Sequence, residues 1–339
     1  MSFQEHVPLA PLTTLHIGGP ASVFIEAHAE RDVMDAIECA RDRKLPLYVL
    51  GAGSNILVPD VGVNGVVLKI ALDDITYETV GNKKLLIAGA GALWENVVIA
   101  ACERNLFGIE NLAGIPGSAG GAIVQNIGAY GAELANIFEY ADVMDADTGA
   151  LKRITREEAA FAYRTSFFKQ HREVIIIRVA LCLSKEASPN ITYPDLLRSR
   201  EAGVPLTTPT QIAAAVRSIR AKKFPSETGE GTAGSFFKNP IISRSHAEAL
   251  QERFPGLPAF PQGKEYVKIS LAWILDHVLS LKGFTKGSVR LYEGHSLVVV
   301  VRHGATAADV NAFASEISAR VLAATGIAIE REVEIFGSC

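Results

Sequence analysis

Apolar positions along the chain follow two periods, and each predicts its own kind of element. A period near 3.6 predicts helices over 30–44, with Val33, Ile37 and Ala40 on one face, and over 93–105, with Val97, Val98 and Ala101 inward. Thr208-Pro209-Thr210-Gln211 is a capping box with proline at the first helical position, and the helix it opens turns Ile212, Val216 and Ile219 inward. Two more helices are predicted over 243–254 and 270–279, the second burying Leu271, Ile274, Leu275 and Val278. The sharpest helical pattern runs from Thr306 as cap, through Val310, Phe313, Ile317 and Val321, to a stop at Gly326. Strand-length runs lie between them at 21–27, 47–50, 66–70, 75–79, 85–90, 140–145, 151–154, 174–183 and 296–302. The last segment, 327–335, alternates with period two: Ile327, Ile329, Val333 and Ile335 face one way, Glu330, Glu332 and Glu334 the other. Strands interleaved with helices predict an α/β (α+β) chain.

Two glycine-rich stretches interrupt this pattern. The strand at 47–50 runs into Gly51-Ala52-Gly53-Ser54-Asn55, the setting in which phosphates are bound, although a plain turn fits as well. The GxGxxG spacing with a following helix is absent, because 56–59 looks extended, and this argues against a standard dinucleotide-binding fold. The second stretch, 114–133, reads GIPGSAGGAIVQNIGAYGAE and holds Gly114, Gly117, Gly120, Gly121, Gly128 and Gly131. Glycine is used where the chain needs positive φ or close approach, and runs of free backbone N–H attract phosphate. With Ser118 and Asn126 interspersed, this stretch reads as a phosphate or cofactor cradle. The aromatic and basic cluster at 161–169 surrounds Arg164, which could clamp a carboxylate of the protein or meet a ligand.

Composition narrows the class. At 339 residues, 48% hydrophobic and 21% charged, the chain reads as a globular protein of two or three domains. A polar, glycine-rich run at 226–234 is the best candidate boundary. Net charge −4 and the lack of a Lys/Arg block exclude a general nucleic-acid binder. Cys39, Cys102, Cys182 and Cys339 have no metal-ligand spacing and read as buried free thiols, so no metal is expected. The N-terminal stretch has no signal-peptide pattern and no apolar run could span a bilayer, so a cytoplasmic protein without membrane insertion is expected.

Five stretches together resemble the UDP-N-acetylenolpyruvoylglucosamine reductase family: GAGSNILV at 51–58, AGIPGSAGGAIVQNIGAYGAE at 113–133, YRTSFFK at 163–169, AGSFFKNP at 233–240 and EVEIFG at 332–337. They occur in one order over nearly the whole chain, and ITYPDL at 191–196 is similar to the tyrosine-bearing loop of the family's longer subtype. The resemblance implies two subdomains holding FAD, as in the vanillyl-alcohol-oxidase group, here 1–72 with 327–339 and 73–222. A C-terminal α/β substrate-binding domain would span 223–326. It implies non-covalent FAD, NADPH as reductant, a UDP-sugar substrate and a monomer. The implied reaction reduces the enolpyruvyl group of UDP-N-acetylglucosamine-enolpyruvate to UDP-N-acetylmuramate, for peptidoglycan.

Residue by residue, the resemblance assigns Arg164 to the substrate carboxylate, Ser235 to proton delivery and a protonated Glu332 to further hydrogen bonding. It assigns the cofactor to Gly51, Gly53, Ser54, Asn55, Gly114, Ile115, Gly117, Ser118, Gly121, Asn126, Gly128 and Gly131. Tyr193, Lys223, Asn239, Lys268 and His277 would meet the substrate. His16 and His277 depart from the family's arginine and glutamine, and Arg302 from its asparagine. An oxidase on the same flavin fold would often carry a histidine in the first glycine loop, and GAGSN has none. A non-catalytic nucleotide-binding regulator would have no use for an acid at Ser235.

Overall fold

The structure, a computed structural model, describes residues 3–225 and 229–337. Its contacts divide the chain into two compact units, one of Met1–Val7, Ala21–Gly53 and Asn64–Ala221, the other of Pro8–Pro20, Ser54–Val63 and Lys222–Cys339. The first three residues of the run 226–234 lie outside the described residues, as does Cys339.

In the first unit, four strands lie in the order Gln4–Pro8, Pro20–Ala27, Val63–Ile70, Leu47–Leu50. The last two are parallel, with Leu50 opposite Lys69. The helix Glu30–Arg43 connects Pro20–Ala27 to Leu47–Leu50 and sets Val33, Ala36, Ile37 and Ala40 into the core. A second, antiparallel sheet has the order Leu151–Thr155, Phe138–Asp145, Val174–Leu183, Lys83–Gly89, Ile75–Val80. Strand Val174–Leu183 is apolar on both faces, as expected of a sheet covered by helices. Helix Trp94–Glu103 packs here through Trp94, Val97, Val98 and Ala101.

The second unit has an antiparallel sheet, Glu230–Ser235, His295–Arg302, Val289–Tyr292, Thr285–Lys286, and a three-stranded sheet, Ile241–Ser243, Tyr266–Ile269, Ala259–Gln262. Helix Ala307–Thr325 supplies Val310, Phe313, Ile317 and Val321 to this core. It starts with a reciprocal Thr306–Asp309 capping box and ends at Gly326 with φ 72°, the left-handed stop its sequence called for.

Several elements differ from the pattern. The helix expected over 270–279 has one short α segment, Leu271–Trp273, and then a π-helix, Ile274–Val278. The N–H of Leu279 reaches back to Ile274, and Ser296 bonds the Asp276 carboxylate, so tertiary contacts hold the wider turn. The continuous strand expected over 327–335 is broken because its partner changes. Arg331 bridges Phe237, whereas Glu334–Ile335 runs parallel to Ile56–Leu57. The glycine-rich stretch hides a helix, Ala119–Gln125, and the tyrosine loop opens another, Pro194–Glu201.

Candidate functional site

In the first unit, the strand Leu47–Leu50 delivers the chain into Gly51-Ala52-Gly53. Among the described residues, the N–H groups of Ala52 and Gly53 find no acceptor. Gly53 is buried with φ 64°, a conformation side-chain-bearing residues avoid. A Cβ at Gly51 would stand 2.6 Å from Ser118 Oγ, so the two glycine-rich stretches meet here. Lys69, from the neighbouring strand, donates its ammonium to the Gly51 carbonyl. Open donors, positive φ and a position where any Cβ would collide fit an anionic cofactor segment.

The second stretch is built differently. Gly114, φ 70°, donates its N–H to Glu95 at 2.6 Å and accepts from Arg220 Nε at 2.9 Å. Arg217 holds the other oxygen of Glu95. Ala119 and Gly120 donate to the carbonyls of Ala92 and Ala90, and Gly121 to Ser118 Oγ, the cap of the short helix. The N–H groups of Ile115 and Gly117 have no acceptor among the described residues. Gly120 lies against the chain at Ala90, Gly128 against Glu133 and Gly131 against Asn190. Asn126 closes the helix at φ 45°; its amide donates to the Ala162 carbonyl at 3.0 Å and accepts from the Ala135 N–H at 3.1 Å.

That amide leads to Arg164. Ala162 and Thr165 exchange backbone bonds, which makes Tyr163 and Arg164 the tip of a two-residue hairpin. Arg164 has φ 56°, an uncommon and strained conformation for such a residue, of the kind that collects at functional positions. Its guanidinium donates to the carbonyls of Gly128 at 3.0 Å and Asn126 at 3.4 Å. Ser166, wholly buried, bonds the Val124 carbonyl, and Lys169 bonds Gln125, so the hairpin is tied beneath the short helix from three sides. Tyr193 caps helix Pro194–Glu201 and sets its partly exposed ring edge-on to Tyr130, 5.1 Å away. Burial pushes the Tyr130 hydroxyl up to about 12, with a hydrogen bond from Arg220 opposing.

In the second unit, Ser235 ends the strand Glu230–Ser235 just past a break in register, opposite Val298. Such bulges re-aim side chains. The half-buried Ser235 hydroxyl has no hydrogen-bond partner among the described residues. The two phenylalanines that follow are buried. Glu332 donates its N–H to the carbonyl of Phe236, and its own carbonyl accepts from Asn55 Nδ2 at 3.1 Å. Ser235, Glu332 and Asn55 therefore share one strand junction. Asn239 accepts from the Leu271 N–H, and Lys268 sits between Ile241 and Phe260 in the small sheet. His277 lies on the π-helix, exposed and stacked on Trp273 with centroids 4.7 Å apart. Lys223 closes the helix Pro209–Lys223 and lies in this unit. His16 is exposed with φ 55°, and Ser54 begins the segment 54–63. Cys39, Cys102 and Cys182 are free, but Cys39 and Cys182 are only half-buried, contrary to the expectation of buried thiols; burial pushes the Cys102 thiol up to about 11.

Sequence reasoning passed over Lys69, Glu95 and Arg220. Lys69 did carry a signal, being the one charged residue of an apolar strand, VNGVVLKI. Glu95 and Arg220 read as ordinary polar positions on helices, and only the fold aims them at Gly114.

Known proteins resemble the chain along its whole length. A family model described as an FAD binding domain matches residues 21–155, and one described as the C-terminal domain of UDP-N-acetylenolpyruvoylglucosamine reductase matches 225–336. The UDP-N-acetylenolpyruvoylglucosamine reductase of Pseudomonas aeruginosa is 36% identical over 339 residues, 99% of either chain. That of Salmonella typhi is 36% identical over 331 residues, 97% of this chain and 95% of the relative. Among solved structures, the UDP-N-acetylenolpyruvylglucosamine reductase of Thermus caldophilus superposes with a TM-score of 0.69 at 28% identity, covering 99% of this chain and all of that one.

Proposed function

The chain belongs to the UDP-N-acetylenolpyruvoylglucosamine reductase family, and from that membership we propose its reaction and the residues that perform it. It is a flavin-dependent oxidoreductase that converts UDP-N-acetylglucosamine-enolpyruvate to UDP-N-acetylmuramate, a peptidoglycan precursor. FAD, when bound, supplies the hydride, and NADPH restores it.

The protein's part is to manage charge on the substrate. Reduction at the enolpyruvyl methylene leaves negative charge on the neighbouring carbon and its carboxylate. Arg164 presents paired donors to that carboxylate from a fixed hairpin tip. Glu332 adds a hydrogen bond, and Ser235 gives its hydroxyl proton to the carbanionic carbon, recovering one from solvent afterwards. The cofactor is held by Gly51, Gly53, Ser54, Asn55 and the residues of 114–131, non-covalently for want of a histidine in the first loop. Tyr193, Lys223, Asn239, Lys268 and His277 receive the nucleotide. Segments 1–72 with 327–339 and 73–222 form the flavin-binding parts and 223–326 the substrate part; the family match over 225–336 supports the boundary near residue 222. The enzyme works as a cytoplasmic monomer; no helix among the described residues is long and apolar enough to cross a membrane.

The observation that carries this reading is the Ser235 hydroxyl, without a hydrogen-bond partner among the described residues at the bulged end of its strand, with Glu332 bonded to the next residue. Stopped-flow measurement of the two half-reactions tests it. Ser235→Ala should be bleached by NADPH at nearly the normal rate, while its reoxidation by the enolpyruvyl substrate falls roughly 10²–10⁴-fold. Equal slowing of both half-reactions would sink the assignment.

A further inference from the structure

Strand Val63–Ile70 lies inside its sheet, and apart from exposed Asn64 every residue in it is buried except Lys69. A lone ammonium there is out of keeping with the strand. Burial lowers its pKa from the ordinary lysine value, with Glu26 opposing. Its partner is the carbonyl of Gly51, one residue past the end of the adjacent parallel strand.

That bond has a geometric consequence. In a trans peptide the carbonyl of one residue and the N–H of the next point to opposite sides of a single rigid plane, and the described chain has no cis peptide. Holding the Gly51 oxygen toward the Lys69 ammonium therefore turns the Ala52 N–H away from it. Neither that N–H nor the next, of Gly53, has a protein acceptor among the described residues. The other side of the loop is fixed by Ser118, within 2.6 Å of where a Gly51 Cβ would be.

We propose that Lys69 is a positioning residue for cofactor binding, which pins the Gly51–Ala52 peptide so that the Ala52 and Gly53 N–H groups are presented to the phosphates of FAD. The inference rests on the flavoprotein reading above. Its mechanism is preorganisation: without the ammonium the peptide can turn over and must be ordered again when the anion binds.

The test is titration of flavin-free protein with FAD, followed by fluorescence, with the thermal midpoint of the flavin-free protein recorded for each variant. Lys69→Met keeps the apolar stem and removes the charged donor. It should weaken FAD binding roughly ten- to a hundredfold, the scale of a hydrogen bond to a charged group. Lys69→Arg, which restores charge and donors, should bind within about threefold of wild type. Should Lys69→Met fail to fold, Lys69→Gln takes its place and should show a loss in the same direction. Wild-type affinity in the neutral variant overturns the proposal, as does an arginine variant as weak as the neutral one. Wild-type protein that takes up no FAD would instead overturn the flavoprotein reading itself.

Discussion

The two glycine-rich stretches look alike in sequence and are built in different ways. The first, at Gly51–Gly53, leaves the consecutive N–H groups of Ala52 and Gly53 without an acceptor among the described residues, and the protein touches it through Lys69 and Ser118. In the second, Gly114, Ala119, Gly120 and Gly121 give their N–H groups to protein acceptors, while those of Ile115 and Gly117 have none among the described residues. Its glycines make room: for Ala90 at Gly120, for Arg220 at Gly114, for Glu133 at Gly128. The room lets a short helix and a hairpin pack closely enough to hold Arg164. Glycine density alone does not say which N–H groups of a stretch are open to a ligand and which hold the scaffold; the acceptors around them do.

The contrast breaks most visibly at Gly120. An added Cβ there would lie 3.1 Å from both the Cβ and the carbonyl oxygen of Ala90. Gly120→Val should destabilise the protein by about 3 kcal/mol, the upper range for overpacking, in urea unfolding. Tolerance of valine would show that the second stretch is not close-packed. Next, Glu95→Ala removes the acceptor of the Gly114 N–H and the partner of Arg217. A loss of about 2 kcal/mol is expected from the stranded donors, with little change if Gly114 is held some other way.

A smaller effect sharpens the comparison through pH. Glu110, buried just before the second stretch, accepts the Gly108 N–H at 2.6 Å, and burial raises its pKa above 4.5. A raised carboxyl binds its proton more tightly folded than unfolded, so its stabilisation is full below the ordinary value and declines as pH climbs through the raised one. Glu110→Gln, which cannot ionise and keeps an acceptor for the Gly108 N–H, should lie within about 1 kcal/mol of wild type at pH 4 and gain stability relative to it toward pH 7. A variant that instead loses ground to wild type as pH rises would mean that the bonds from the backbone outweigh burial.

The sequence made some of this legible and concealed the rest for physical reasons. The helix Ala307–Thr325 could be read end to end because its cap, stripe and stop are local. Helix Ala119–Gln125 could not, since two glycines give it poor propensity; Ser118 and the carbonyls of Ala90 and Ala92 supply what propensity lacks. The π-helix at 274–278 depends on Ser296, distant in sequence, and the broken strand at 327–335 on a change of partner that alternation does not encode. Arg164, Ser235 and Glu332 were visible through the family resemblance. The hairpin strain at Arg164 and the supports at Lys69, Glu95 and Arg220 required the fold.

The last test addresses the point where the two stretches touch. A Cβ on Gly51 would lie 2.6 Å from Ser118 Oγ but 3.8 Å from Ser118 Cβ. The first distance is a collision and the second an ordinary contact. Ser118 is almost fully buried, and its oxygen accepts the Gly121 N–H at 3.3 Å as the cap of the short helix. Gly51→Ala must therefore displace that oxygen, which forfeits the cap and costs about 1 kcal/mol or somewhat more. Ser118→Ala forfeits the same cap directly, at about the same cost. In the double variant the colliding oxygen is gone, and the new methyl meets only a Cβ at contact distance. Its stability should match Ser118→Ala alone, leaving a coupling of about 1 kcal/mol in the double-mutant cycle. Strict additivity would mean that Gly51 is glycine for the sake of its ligand side, and that the two stretches do not share a wall.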